Sequence, residues 1–335
     1  MTEASGISII RKRRREVGKI GAMNKNKKVI IDCDVGVDDA LALILAFRSP
    51  ELEVLGITGV HGNVSLDKVM RNIGKVLTLL RPSRRTRIAS GADRPLQGNP
   101  VHAESFHGED GLGGANIQAD EEGDWAEIFP GSADEFITQM ARGHPQEITL
   151  IAVGPLTNLA LALQRDAEGM GSLKGVMIMG GAVRTKGNIT PHAEFNFYVD
   201  SLAAKRVLES GLPITLVPLD ATHQVSLTPG LMEGRVRPLQ NSFSQFVIEA
   251  TGYEASAGHF RGGRKVSYLH DPLAVGAAID SKLVRKEKLS ISVEVKEGEL
   301  YGKSCEIRGG EKNVEVCLGV DREKFLDLFL TRLKG

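Results

Sequence analysis

VIIDCDVGVDDALALILAF, Val29 to Phe47, sets an apolar strand against an apolar helix and places four carboxylates on the seam between them. Val29, Ile30 and Ile31 are β-branched and follow charged residues, the pattern of a buried parallel strand that ends near Cys33. Gly36 then turns the chain. From Asp38 onward the apolar pattern loosens to Ala40, Leu41, Leu43, Ile44, Leu45 and Phe47. This predicts a helix with Asp38 and Asp39 in its first turn, where carboxylates favour the positive end of the dipole. Asp32, Asp34, Asp38 and Asp39 therefore crowd the carboxyl end of a strand, the edge at which open α/β sheets bind ligands. Like charges this close either rise in pKa or share a cation, and oxygen donors without a nearby Cys or His pair suit Ca²⁺ or Mg²⁺ better than Zn²⁺. Asp34 and Asp39 are the expected direct ligands. Capping a helix would need one such residue, not four.

Outward from this stretch, strand and helix alternate. Leu52 to Asn63 reads as a second strand closing on Gly62 and Asn63, and Val69 to Leu80 as a helix stopped by Pro82. Ile88 to Ser90 is a short strand. Residues 91 to 131 read as one long loop of Gly, Pro, Asp and His, and His107 in its SFHGEDGLGG stretch could face a substrate or lie on the surface. Ala133 to Arg142 is helical, and Glu147 to Val153 is a buried strand leading through GPLTN into a helix from Leu156 to Gln164. Gly175 to Met179 is a strand ending in Gly180 and Gly181, followed by the polar NITPHAEFN, Asn188 to Asn196. A helix from Asp200 to Ser210 and a strand from Pro213 to Asp220 complete the alternation. Residues 230 to 262 read as two peripheral helices bearing Phe243, Phe246, Tyr253 and Phe260. A further helix opens at His270, Asp271 and Pro272.

Beyond Leu289, the alternating runs ISVEV and NVEVCLGV predict an antiparallel hairpin, closed by a helix from Arg322 to Leu333. The expected fold class is α/β: an open, mainly parallel, doubly wound, Rossmann-like sheet with helices on both faces and a small C-terminal antiparallel hairpin. Residues 28 to 335 should form a single domain.

Bulk composition narrows the function classes. Lys plus Arg and Asp plus Glu balance at 42 each, which gives no electrostatic reason for the folded body to bind nucleic acid or a membrane surface. Aromatic residues make up only 5% and there are 38 glycines, as suits a sheet-cored enzyme with many tight turns. Cys33, Cys305 and Cys317 are too few and too scattered for a disulfide framework or a zinc site, so a reducing, cytoplasmic setting is expected. Residues 1 to 27 differ: Arg11, Lys12, Arg13, Arg14, Arg15, Lys19, Lys25 and Lys27 face only Glu3 and Glu16. The expectation is a disordered basic tail, with a nuclear or organellar address or a nucleic-acid patch as the sharper alternatives.

In order along the chain stand DCDVGVDD, Gly62-Asn63, VGPLTN, MGG, Gly187-Asn188, AEFN and HDP. Together they resemble the nucleoside hydrolases of the inosine-uridine-preferring kind, from about Lys28 to about Leu333. The resemblance implies hydrolysis of the N-glycosidic bond of a ribonucleoside to ribose and free purine or pyrimidine base. It also implies a Ca²⁺ at the floor of the pocket, held by Asp34, Asp39, Asp271 and the backbone carbonyl of Val153. Asp38, Asn63, Asn188, Glu194, Asn196 and Asp271 would hold the sugar, with Asp32 behind them. The family often forms dimers or tetramers, so a homodimer or homotetramer is expected.

As the glycosidic bond stretches, the ribose becomes oxocarbenium-like and surrounding carboxylates favour that charge. Asp34 would take a proton from the attacking water, and His270, assisted or replaced by His107, would protonate the departing base. The glycine-rich, basic segment Gly258 to Tyr268 matches the family poorly, so no base-contacting residue is assigned there. His61 has no assigned role beyond packing. Two rivals remain: a nucleoside-binding protein without turnover, and a Mg²⁺-dependent phosphatase of the haloacid dehalogenase type, whose Asp-x-Asp start is shared but whose following residues are not.

Overall fold

A computed structural model describes residues 26–117, 124–257, 260–261 and 264–334. Its central sheet contains β1 (Lys27–Cys33), β2 (Leu52–Gly59), β3 (Thr86–Ser90), β4 (Ala126–Ser132), β5 (Ile148–Ala152), β6 (Gly175–Met179) and β7 (Ile214–Val217). Near the C-terminus, β8 (Val284–Leu289) and β11 (Val314–Val320) join it, whereas β9 (Ile291–Val293) and β10 (Ser304–Glu306) pair separately. Across the sheet the order is β8-β11-β7-β6-β5-β1-β2-β3-β4. Every neighbouring pair is parallel except β8 with β11.

This order decides where a ligand can sit. From β1 the chain runs outward through β2, β3 and β4, then returns to the other side of β1 for β5, β6 and β7. The reversal opens a crevice beyond the carboxyl ends of β1 and β5, the topological switch point of a doubly wound sheet. Asp32 lies opposite Thr58 in β2 and Ala152 in β5, so Asp34 and Val153 emerge side by side at that crevice.

Each face of the sheet carries its own core. Val29, Ile31 and Cys33 pack with α1 (Val37–Phe47), and Ile30 joins Leu150 and Ala152 on the other face. The remaining helices are α2 (Leu66–Leu80), α3 (Glu104–His107), α4 (Ala133–Gly143), α5 (Thr157–Met170), α6 (Phe195–Val199), α7 (Ser201–Leu208), α8 (Leu219–Thr222), α9 (Ser242–Ala257), α10 (His270–Ile279) and α11 (Arg322–Arg332). Ten of the eleven residues of α1 are buried, Asp38 and Asp39 among them. A helix apolar all round belongs in an interior. Burial of Leu41, Leu43, Ile44 and Leu45 is worth roughly 1.5–3 kcal/mol each.

Three expectations need correction. Residues 91 to 131 are not one loop, because they contain α3 and the edge strand β4. The runs ISVEV and NVEVCLGV do not pair with each other: β9 pairs with β10, while β11 enters the main sheet between β7 and β8. The two peripheral helices reduce to one, α9, since residues 229–239 form short helical turns. Phe243 and Phe246 belong to the core; the side chains of Tyr253 and Phe260 lie outside the described ones. Most of the basic N-terminal segment also lies outside the described residues. Lys27 opens β1, its Nζ donating to the carbonyls of Ala278 and Ile279 at 2.8 Å each.

Candidate active site

Beyond β1, Asp34, Gly36 and Asp39 form the start of α1. Asp39 Oδ2 accepts from Gly36 N at 2.9 Å and Oδ1 from Asp34 N at 3.1 Å, so this carboxylate closes its own helix N-terminus. Asn63 ties in the end of β2: its N–H donates to Asp34 Oδ2 at 2.7 Å and its Nδ2 to Asp39 Oδ2 at 3.0 Å. Gly62 permits this approach, since a Cβ there would lie 2.0 Å from Asp34 Oδ2. Behind the seam, Asp32 Oδ1 accepts from Thr58 Oγ1 at 2.5 Å and Asn158 Nδ2 at 2.7 Å. Burial pushes its pKa up to about 7.

The opposite wall comes from distant parts of the chain. Asp271, in the first turn of α10, donates its backbone N–H to Asp38 Oδ2 at 3.0 Å across 233 positions of sequence. Glu194 caps α6: Oε1 accepts from Asn196 N at 2.8 Å, and Oε2 from Gly181 N at 2.8 Å and Phe197 N at 3.1 Å. Asn196 Nδ2 donates to the Val153 carbonyl at 2.8 Å, and Asn188 Oδ1 accepts from Phe195 N at 2.9 Å.

Between these walls lies a cavity of about 200 Å³. That is below the range of roughly 300–1,000 Å³ typical for drug-sized ligands, so its occupant is small. Asp38, Asn63, His107, Val153, Asn188, Glu194, Asn196, His270 and Asp271 line it. Asp34 and Asp39 do not; both are fully buried beneath Asn63 and Gly36.

Four of these acids sit uneasily together. Burial first, then the charge of Asp39, raises the pKa of Asp34 well above the usual range. Burial likewise leads for Asp271, followed by the charges of Asp38, Asp39, Asp34 and Glu194. Asp39 and Glu194 are also raised, in both cases by burial. Asp34 Oδ1 is buried without a hydrogen-bond partner.

Among the described residues no three His, Cys, Asp or Glu side chains converge as a metal-ligand group. Asp34 and Asp39 instead spend their oxygens on backbone N–H groups and Asn63. The chemistry of the donors nevertheless fits a hard cation: every donor is oxygen, Asp34 Oδ1 is unpartnered, and burial, joined at Asp34 and Asp271 by neighbouring carboxylates, raises their pKa values.

Three imidazoles line the cavity, and Nδ1 of one of them, His102, lies 2.8 Å from the Gly62 carbonyl oxygen. Nδ1 of His107 accepts from Val37 N at 3.2 Å, which places its proton on Nε2. Nδ1 of His270 is 2.7 Å from Thr222 Oγ1. His61 is fully buried and does not line the cavity; its Nε2 meets Thr157 Oγ1 at 3.1 Å, and burial lowers its pKa to about 4. Other lining residues carried no chemical signal in the sequence: His102, Phe106, Ile189, Phe195 and Tyr268. Only Phe106 and Phe195, inside the FHG and AEFN stretches, could have been flagged by their neighbours.

A sequence profile of inosine-uridine preferring nucleoside hydrolases matches residues 29–327. The chain belongs to this family. A pyrimidine-specific ribonucleoside hydrolase, RihA, of Salmonella arizonae is 37% identical over 316 residues, covering 91% of this chain and 98% of that protein. A plant nucleoside hydrolase superposes with a TM-score of 0.85 at 31% identity, covering 92% of this chain and 99% of that one. A purine-preferring ribonucleoside hydrolase from Gardnerella vaginalis gives 0.84 at 31% identity, covering 92% and 98%. This nucleoside hydrolase therefore cleaves the N-glycosyl bonds of ribonucleosides, and its α/β sheet is the one those structures share. No described helix is long and apolar enough to cross a membrane.

Proposed function

We propose that this nucleoside hydrolase is calcium-dependent and releases both purine and pyrimidine bases from ribonucleosides. The observation that carries the reading is the cavity with Asp38, Glu194 and Asp271 on its walls and Asp34 and Asp39 below its floor. So many buried acids are poised for positive charge, first of a cation and then of an oxocarbenium-like ribose.

Asp38, Asn63, Asn188, Glu194 and Asn196 hold the sugar hydroxyls, for which carboxylates accept and amides both donate and accept. Asp34, Asp39, Asp271 and the Val153 carbonyl would hold the Ca²⁺. When bound, that ion supplies positive charge that lowers the pKa of a nearby water and returns the raised carboxylates to their ionised form. Asp34 accepts the proton of the attacking water. His270 delivers a proton to the leaving base, while His107, with its proton on Nε2, offers a hydrogen bond from the other side. Phe106, Ile189, Phe195 and the ring of Tyr268 add apolar surface to the lining. A wall of this kind accepts the face of either base class, consistent with relatives named for each.

Inosine, adenosine, guanosine, uridine and cytidine assayed for free base and reducing sugar, with and without a calcium chelator, test the reading. Base release from both classes, lost with the chelator and restored by Ca²⁺, is expected. Activity on one class only would overturn the breadth, and undiminished activity under chelation would overturn the metal.

A further inference from the structure

Thr222 ends α8, fully buried, with its Oγ1 2.7 Å from Nδ1 of His270, 48 positions away. The chain between them is drawn together by backbone bonds. Leu269 N donates to Val225 O at 3.3 Å, and Tyr268 pairs with Ser226 in a short antiparallel ladder. The rings of His223 and Tyr268 pack against the imidazole at centroid distances of 5.6 and 5.4 Å. His270 is therefore held by rings at its sides and by one hydroxyl at Nδ1.

We propose that Thr222 is a positioning residue for proton delivery: its hydroxyl accepts the Nδ1–H of His270 and so assigns Nε2 to the leaving base. This inference rests on the reading of His270 as general acid. To donate a proton and end neutral, the ring must begin with hydrogen on both nitrogens. As the glycosidic C–N bond breaks, its electron pair passes to the base and the Nε2 proton passes to an acceptor atom of that base. Nδ1 keeps its hydrogen throughout. Thr222 Oγ1 accepts that hydrogen before and after transfer, so neither hydroxyl nor ring has to turn during the step. Preorganisation of this kind acts on the transition state rather than on substrate binding.

Without the hydroxyl, Nδ1–H would lose the bond to Thr222 Oγ1 that holds the ring in this orientation. The test compares wild type, Thr222→Val, Thr222→Ser and His270→Ala. Each is measured for kcat and KM on the better of uridine and inosine, and on p-nitrophenyl ribofuranoside, whose nitrophenolate leaves without a proton. Thr222→Val is expected to lower kcat on the nucleoside about 10- to 100-fold, the loss of one charge-assisted hydrogen bond. Its KM and its rate on the aryl riboside should stay within about threefold, since only proton delivery is affected. Thr222→Ser, which keeps the hydroxyl, should recover most of the nucleoside rate.

Equal slowing of both substrates would mean a structural role and overturn the inference, as would a Thr222→Val variant matching wild type on the nucleoside while His270→Ala is slow. A His270→Ala variant with unchanged nucleoside turnover would overturn the assignment of the acid itself, and that of Thr222 with it.

Discussion

Asp34→Asn is expected to lower kcat on nucleosides by about 10² to 10⁴, the usual loss on removing a general base, while making the cation-free protein more stable at neutral and alkaline pH. Both effects follow from one carboxylate. Asp34 is fully buried, its Oδ1 lacks a partner, and burial and Asp39 raise its pKa well above the ordinary value. A group whose pKa is raised in the folded state contributes most stability below its unfolded pKa, and that contribution is lost as pH rises through the folded value. Stability of the wild type without cation should therefore fall as pH climbs from the acid range. Asparagine has no such loss. Its carbonyl can still accept from Asn63 N, and its amide can donate where the lone Oδ1 now lies. Thermal unfolding in chelator from pH 4 to pH 8 checks this: the variant's advantage should appear above about pH 4 and widen with pH. A variant less stable than wild type throughout that range would contradict it.

His270→Ala should slow nucleoside hydrolysis by about 10² to 10⁴, whereas His107→Ala should cost distinctly less. Both imidazoles line the cavity, and the sequence alone left the choice between them open. The structure distinguishes them by their Nδ1 partners. Val37 N can only donate, so Nδ1 of His107 must accept and the ring carries one proton, on Nε2. Giving that proton up would leave an imidazolate. Thr222 Oγ1 can accept, which allows His270 to hold two protons and lose one. Steady-state rates of the two variants on inosine and uridine decide the matter; equal losses, or a larger loss for His107→Ala, would reverse the roles.

What could be read from the chain was whatever rests on local pattern. The run from Val29 to Phe47 announced its strand, turn and helix because burial on both faces leaves an almost unbroken apolar text. β4 escaped because it is an edge strand: no residue of AEIFPGS is fully buried and it contains Pro130, so its text shows no apolar alternation to recognise. The partners of β9 and β11 escaped for another reason. Alternation marks a strand but not its neighbour, and β11 finds β7, about a hundred residues away, instead of the nearer β9. In the site, Asp38, Glu194 and Asp271 were visible as buried-type acids in unusual company, through their resemblance to a family. Thr222 and Tyr268 were not, since ordinary residue types acquire a role here only through tertiary contact.

A calcium titration by calorimetry, on wild type and on Asp271→Asn, addresses most directly the claim that acids from both ends of the chain grip one cation. The account predicts binding of a single equivalent per wild-type chain, accompanied by a rise in melting temperature, and a much weakened or absent signal for the variant. A folded wild type that binds no calcium, or an Asp271→Asn variant that binds it equally well, would contradict the account.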